Sequence, residues 1–340
     1  MGCWNDSPRI STAFAYEGID AAVLANRHLR VTVLPGKGGD IVEFRDKRTD
    51  VDVLWHADHD WVPPEGRRIP TTETSWNDFY PGGWQLNLPI AGGGMEIPGT
   101  GYDHHGESAL LAWDAEVLRD DDEAVTLGLS TELRRYPFAV SRELTLPAGE
   151  AALEVKESIT NRGATDLEYV WQQHVALGRP LAAPGARLDA SVDRGRVADY
   201  GPDPENNRLR GGETFDWPRA PRARDGAGRE DRESGTAEDG AGTVDLSTLP
   251  EPGSDDMVYG TDLAAGWYAL RNPDLGLGFA LTWPTDPFEA LWGWLSFGGA
   301  NESPFWGRNY TCGLEPTTAY PGRDLPDAQR ENGTIDVLGA

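Results

Sequence analysis

Cysteine, methionine and lysine are scarce in this chain of 340 residues, and no long apolar run interrupts it. The two cysteines, Cys3 and Cys312, stand at opposite ends, too few for a disulfide framework or a zinc ribbon. No apolar segment approaches the length of a membrane span, and the start "MGCWNDSPRI" has no apolar signal core. Its Met-Gly opening stops short of a myristoylation pattern, because Asp6 occupies the Ser/Thr position. A soluble, cytoplasmic protein is the expectation. Lysine is confined to Lys37, Lys47 and Lys156, so arginine carries almost all the positive charge. Against 30 Lys and Arg stand 56 Asp and Glu, a net charge of −26 that repels phosphate and argues against nucleic acid or an anionic membrane as partner. Such a surface suits a high-salt cytoplasm, where screening removes self-repulsion, although a GC-rich genome also favours arginine over lysine.

What is abundant is equally telling. There are 41 Gly, 25 Pro and 13 Trp with no long helical period, a combination that favours short strands joined by many turns. "LRVTVLPGKGGDIVEFRD" reads as two strands around a Pro/Gly turn, and "WYALRNPDLGLGFALTW" as a pair around Asn-Pro-Asp. In "LEVKESIT" the alternation puts Leu153, Val155, Glu157 and Ile159 on one face. The expected fold is all-β, a large antiparallel β-sandwich formed by residues 1–340 as a single domain. From about Asp203 to Asp256 the chain is rich in Asp, Glu, Gly, Pro and Arg, which predicts an exposed, mobile acidic insertion, with the strand pattern resuming near Met257.

Reactive residues gather in three places. In "GYDHHGESALLAW", residues 101 to 113, an extended chain would put His105 and Glu107 on one face and His104 on the other. Alternate metal ligands are then missing, and the plain alternative is a solvated histidine pair at a strand start. In "YVWQQHVALGRP", residues 169 to 180, His174 is a core histidine or a catalytic one. In "YTCGLEPTTAYPGR", residues 310 to 323, Glu315 follows apolar residues, where a carboxylate needs hydrogen bonds or a use for a raised pKa. Trp84, Gln85 and Asn87 sit between glycines, and Trp292, Trp294 and Trp306 add aromatic surface. Aromatic faces with a few amides and carboxylates suit a sugar site, while most tryptophans of a β protein simply fill its core.

These segments together resemble the aldose 1-epimerase (galactose mutarotase-like) family. "HHGESALLAW" is similar to its His-Gly-Glu segment, "WQQHVALG" to its later strand histidine, and "CGLEPTT" to its Gly-Leu-Glu-Pro segment, in the same order and with similar wide spacing across residues 25 to 320. The resemblance implies a β-supersandwich that interconverts the α and β anomers of a free sugar with no cofactor and no metal. It implies that Glu315 is the general base on the C1 hydroxyl, that His174 is the general acid on the ring oxygen, and that His105 binds the sugar and stabilises charge there. Glu107, Trp84, Gln85 and Trp292 complete the expected substrate-binding set. Where family members carry an arginine before the first histidine, this chain reads "YPGGWQLNLP", which points to an atypical subgroup. Its end, "GTIDVLGA", falls short of a further strand usual in the family.

The acid–base logic stands without the name, since ring opening needs one group to take a proton and another to give one. Two other readings follow from the same residues. One is a non-catalytic carbohydrate-binding or regulatory protein on this fold. The other is a hydrolase or lyase pairing Glu107 with Glu315 across a sugar.

Overall fold

A computed structural model describes residues 7–58, 75–97, 99–102, 104–199, 205–223, 242–322 and 327–340. Cys3 therefore lies outside the described residues. The chain divides into two compact units, Met1–Val175 with Gly322–Ala340, and Ala176–Pro321. Nearly all regular structure is antiparallel β, as the turn-rich composition predicts.

In the first unit, strands Arg9–Tyr16, Ile19–Ala25, Leu29–Leu34, Asp40–Asp46 and Trp84–Asn87 lie side by side in that order. Residues 172–175 of the strand Gln172–Gly178 add antiparallel to Trp84–Asn87. The predicted Pro/Gly turn joins Leu29–Leu34 to Asp40–Asp46 as an antiparallel pair. A second sheet is a meander of Asp114–Asp120, Ala124–Glu132, Phe138–Pro147 and Glu154–Asn161. Period two shapes it: Phe138, Val140, Arg142, Leu144 and Leu146 are buried and the residues between them are not. Glu157 falls on the inward face with Val155 and Ile159, directly opposite Arg142. That face packs on the first sheet. The Arg142 guanidinium donates to the Gly39 carbonyl at 3.2 Å and lies 5.5 Å from the Trp84 ring centre.

The second unit is built on the long strand Ser254–Asn272, flanked by Arg187–Val197 and Ala290–Phe297, with Tyr310–Thr317 beyond the latter. Leu277–Thr282 folds back on its second half around Asn272-Pro273-Asp274, the expected hairpin. The acidic stretch departs from a wholly exposed insertion. Its described residues form Thr214–Asp216 and the pair Arg219–Pro221 with Thr243–Asp245, and they bury Leu209, Phe215, Ala220, Val244, Leu246 and Leu249. Widely spaced apolar residues, diluted by charge, were enough to cover the edge of a sheet. Arg208 also reaches the fully buried Asp256 at 2.7 Å. Residues 224–241 lie outside the described residues.

Candidate functional site

The paired histidines do not lie on a strand. His105 has φ 59° and Gly106 φ 74°, so the chain reverses there. A Cβ on Gly106 would stand 2.4 Å from the Leu88 carbonyl oxygen, which is why only glycine fits. The Leu88 carbonyl accepts from the Glu107 and Ser108 N–H groups at 3.0 and 3.2 Å. The Ser108 hydroxyl donates to the Leu86 carbonyl and accepts from the Leu88 N–H, fastening the turn to the end of strand Trp84–Asn87. The expectation that His104 faces away from His105 is thus corrected. The two rings meet edge to face at 4.0 Å.

His105 is held in one tautomer. Its Nδ1 accepts from the Gly92 backbone N–H at 3.0 Å, and Asn87 Nδ2 donates to the same nitrogen at 3.0 Å. Two donors at Nδ1 leave the ring proton on Nε2. Burial, then the neighbouring His104 and His174, hold its pKa well below the usual histidine range, so the ring is a neutral donor through Nε2–H.

His174 comes from the next strand. It pairs directly with Gln85, and Gln172 pairs with Asn87, so these four side chains share one face, while Trp84, Leu86, Gln173 and Val175 share the other. The His174 ring lies 5.0 Å from that of His105 and 5.0 Å from Tyr80, whose hydroxyl is 3.4 Å from Nδ1. Burial, followed by His104, lowers its pKa to about 3. Trp76 stacks on Tyr80 at 4.3 Å and lies 4.2 Å from His105 and 5.3 Å from His174. Neither Trp76 nor Tyr80 was expected at the site. Trp76 lies in the short helix Ser75–Asp78 and Tyr80 two residues beyond it, and the aromatic pair just before Gly82-Gly83 is the one hint of them in the sequence.

Other expected residues do different work. Trp84 is on the far face, where Nε1–H donates to Gln173 Oε1 at 2.8 Å, Gln173 donates to Glu157 at 2.6 Å, and Glu157 pairs with Arg142 at 2.9 Å. It belongs to a buried structural network and not to the histidine face. Glu107 accepts from the Tyr102 hydroxyl at 2.6 Å and from the Arg134 and Arg135 N–H groups at 3.1 and 3.0 Å. Those bonds clamp the 134–135 loop, and they occupy the carboxylate that a Glu107–Glu315 hydrolase would need. Gln85 does share the His174 face, where it donates to Asp40 at 2.6 Å. Asp40 in turn pairs with Lys37, which also donates to the Ala109 carbonyl at 3.2 Å. Burial pushes the Asp40 pKa up and Lys37 opposes that rise.

In the second unit Glu315 sits across from Trp292, which sits across from Tyr259, so the three share a face. All three are buried, and Trp292 Nε1–H donates to the Ala319 carbonyl at 2.9 Å. Trp292 therefore walls the carboxyl with its ring edge against Tyr259 at 5.5 Å. Burial pushes the Glu315 pKa well above the usual carboxylate range. Gly313, two residues earlier on the same face, makes the room: a Cβ there would stand 2.8 Å from Glu315 Oε1. Cys312 points the other way, a free buried thiol whose pKa is raised to about 12 by burial and then by Glu315.

Among the described residues no group of three or more His, Cys, Asp and Glu is arranged to hold a metal ion, and no helix is long and apolar enough to cross a membrane. Residues 16–222 match the family described as "Domain of unknown function (DUF4432)". No curated protein sequence matches the chain. Among solved structures, the chain is similar to a candidate aldose 1-epimerase from Klebsiella pneumoniae, with TM-score 0.70 and 14% identity over 97% of this chain and 79% of that one. A galactose mutarotase-like protein from Clostridium acetobutylicum matches with TM-score 0.61 and 14% identity over 98% and 95% of the two chains. Another from Lactobacillus casei matches with TM-score 0.57 and 16% identity over 94% and 96%. At these identities the likeness is one of fold, a large antiparallel β-sandwich.

Proposed function

The chain belongs to the DUF4432 family, and from that premise we propose that it is an aldose 1-epimerase-like isomerase, interconverting the α and β anomers of a free sugar. The observation that carries the reading is the buried pair His105 and His174, 5.0 Å apart beside Trp76 and Tyr80, with the tautomer of His105 set so that Nε2–H is a donor. Neutral imidazoles next to aromatic faces suit a polyhydroxylated ring better than a phosphate. The fold neighbours named for mutarotation support it further.

In this reading the base takes the proton of the C1 hydroxyl while the acid protonates the ring oxygen. The bond from C1 to the ring oxygen breaks and leaves the open aldehyde. Rotation about C1–C2 and the reverse proton transfers close the ring on the other face. Glu315 is the proposed base and His174 the proposed acid, and His105 donates to an oxygen of the sugar. Burial strengthens each group in its role: a raised pKa makes the Glu315 carboxylate a stronger base, and a lowered pKa makes the His174 imidazolium a stronger acid.

The test is the anomeric proton signal of freshly dissolved α-glucose and α-galactose. Wild type is expected to speed mutarotation, and Glu315→Gln and His174→Ala each to abolish that acceleration while keeping the fold. No acceleration of any common aldose by folded protein would sink the isomerase. The segment "YPGGWQLNLP", with no arginine before the first histidine, favours a second reading as a non-catalytic carbohydrate-binding protein, which predicts saturable binding without acceleration.

A further inference from the structure

Strand Trp84–Asn87 presents buried amide oxygens that no donor of the described residues meets. Among the described residues, Asn87 Oδ1 and Gln85 Oε1 are both fully buried without a hydrogen-bond partner, and Asp40 Oδ1 beside them is likewise unmet. Polar groups buried so deeply are nearly always satisfied, so a cluster of acceptors with the same deficit calls for a donor from elsewhere. Gln85 and Asn87 stand two residues apart on the face that His174 shares, about 6.6 Å along the strand.

Their orientation follows from their neighbours. The Gly92 N–H is a backbone donor and cannot turn round, so His105 Nδ1 must accept. Asn87 therefore offers Nδ2 to that nitrogen, and the same Nδ2 donates to Gln172 Oε1 at 2.9 Å. Both of its N–H bonds are used on protein, and Oδ1 is the end left over. Gln85 likewise offers Nε2 to Asp40 Oδ2, the oxygen that also accepts from Lys37, which leaves Oε1 over. A flipped amide would set oxygen against oxygen there.

We propose that Asn87 Oδ1 and Gln85 Oε1 are an acceptor pair that recognises a neutral polyhydroxylated ligand through its O–H groups. The proposal rests on the sugar reading of the histidine face but not on turnover. It names the substrate class by chemistry: ligand hydroxyls donate to the two amide oxygens and accept from His105 Nε2–H. A carboxylate or phosphate has no proton to give these oxygens and meets their negative ends. The nearby cation Lys37 is already held by Asp40 and the Ala109 carbonyl, so it does not serve an anion.

The test is calorimetric titration of D-glucose and D-galactose, their monodeoxy analogues, D-glucuronate, D-galacturonate and glucose 6-phosphate into wild type, Gln85→Met and Asn87→Leu. In wild type at least one monodeoxy analogue is expected to bind about tenfold or more weakly than its parent, and that penalty is expected to vanish in the variant lacking its acceptor. A merely structural role for the amides would weaken parent and analogue alike and leave the penalty in place, which overturns the proposal. The anionic sugars are expected to bind about tenfold or more weakly than the neutral ones, and equal or tighter binding also overturns it. This wild-type comparison stands even where a substitution prevents folding. If neutral sugars bind or mutarotate while every penalty survives in both variants, the acceptor pair falls and the isomerase reading remains. If none of the sugars binds, both fall together.

Discussion

The strands Trp84–Asn87 and Gln172–Gly178 carry a polar cluster on each of their two faces, and the clusters follow different rules. On the inner face Trp84 and Gln173 join Glu157 and Arg142, where burial lowers the pKa of Arg142 and raises that of Glu157 and each ion opposes the other's shift. Charge is buried there only in compensated form. On the other face His105, His174, Asn87 and Gln172 are buried as neutral groups, with burial first and then His104 and His174 lowering the pKa of His105. Adjacent residues of one strand thus enter two separate networks, one charged and one neutral, because the side chains alternate. Glu315 in the second unit resembles the neutral face. Burial sets its pKa, whereas for Asp40 and Asp256 burial is opposed by Lys37 and Arg208.

Substitutions can break this division. The largest effect belongs to the neutral groups: His174→Ala or Glu315→Gln is expected to lower mutarotation about 10²–10⁴-fold, as loss of a general acid or base does. Thermal unfolding of either variant is expected within a few degrees of wild type, and a collapse of both activity and fold would erase the distinction between the faces. Arg142→Met should do the opposite. Stranding Glu157 in the core is expected to cost about 3–5 kcal/mol in urea denaturation, largely recovered in Arg142→Met/Glu157→Leu. An equally stable single variant would show that the network is dispensable.

The next effect separates the faces by pH. His174 has a folded pKa of about 3, below the ordinary value of 6.5, so the unfolded chain binds its proton first. Its contribution is complete above about pH 6.5 and is lost as pH falls from there toward 3, a total of a few kcal/mol. His105 adds a loss of the same sign. Urea midpoints at pH 7.5 and 5.0 should therefore differ more for wild type than for His174→Gln; a slope unchanged by that substitution would contradict the neutral face. Gly313→Ala sharpens the comparison at Glu315. A methyl 2.8 Å from Oε1 must displace the carboxyl, and about tenfold loss of mutarotation is expected with about 1–3 kcal/mol of destabilisation. Wild-type kinetics from this variant would mean that the carboxyl position is not critical. The smallest effect is expected for Glu107→Gln, which weakens the clamp on the Arg134 and Arg135 N–H groups by about 1–2 kcal/mol. Mutarotation should stay within about twofold; a hundredfold loss would return Glu107 to the substrate.

Much of the fold was legible because period two is a local property. The Arg142 and Glu157 strands, the Leu29–Asp46 turn and the Asn-Pro-Asp hairpin all follow from residues adjacent in sequence. Three features were not. The His104–Gly106 reversal depends on the approach of Leu88, and Trp76 reaches His105 from a segment almost thirty positions earlier. Residues with a strong sugar-site appearance, Trp84 and Glu107, were drawn off by Gln173 and the 134–135 loop. Which face a tryptophan takes is set by strand register, and composition carries no register.

The sequence by itself determined an antiparallel β protein with an acidic surface, two histidine-bearing segments and a carboxylate segment of the kind that resembles a mutarotase. Only the tertiary structure decided which nitrogen of His105 carries the proton, which face receives His174, and which amide oxygens of Asn87 and Gln85 remain to accept. The physical reason is that tautomer, protonation and amide orientation are properties of a hydrogen-bond network. Such a network closes only when strands distant in sequence bring their donors and acceptors to about 3 Å of one another.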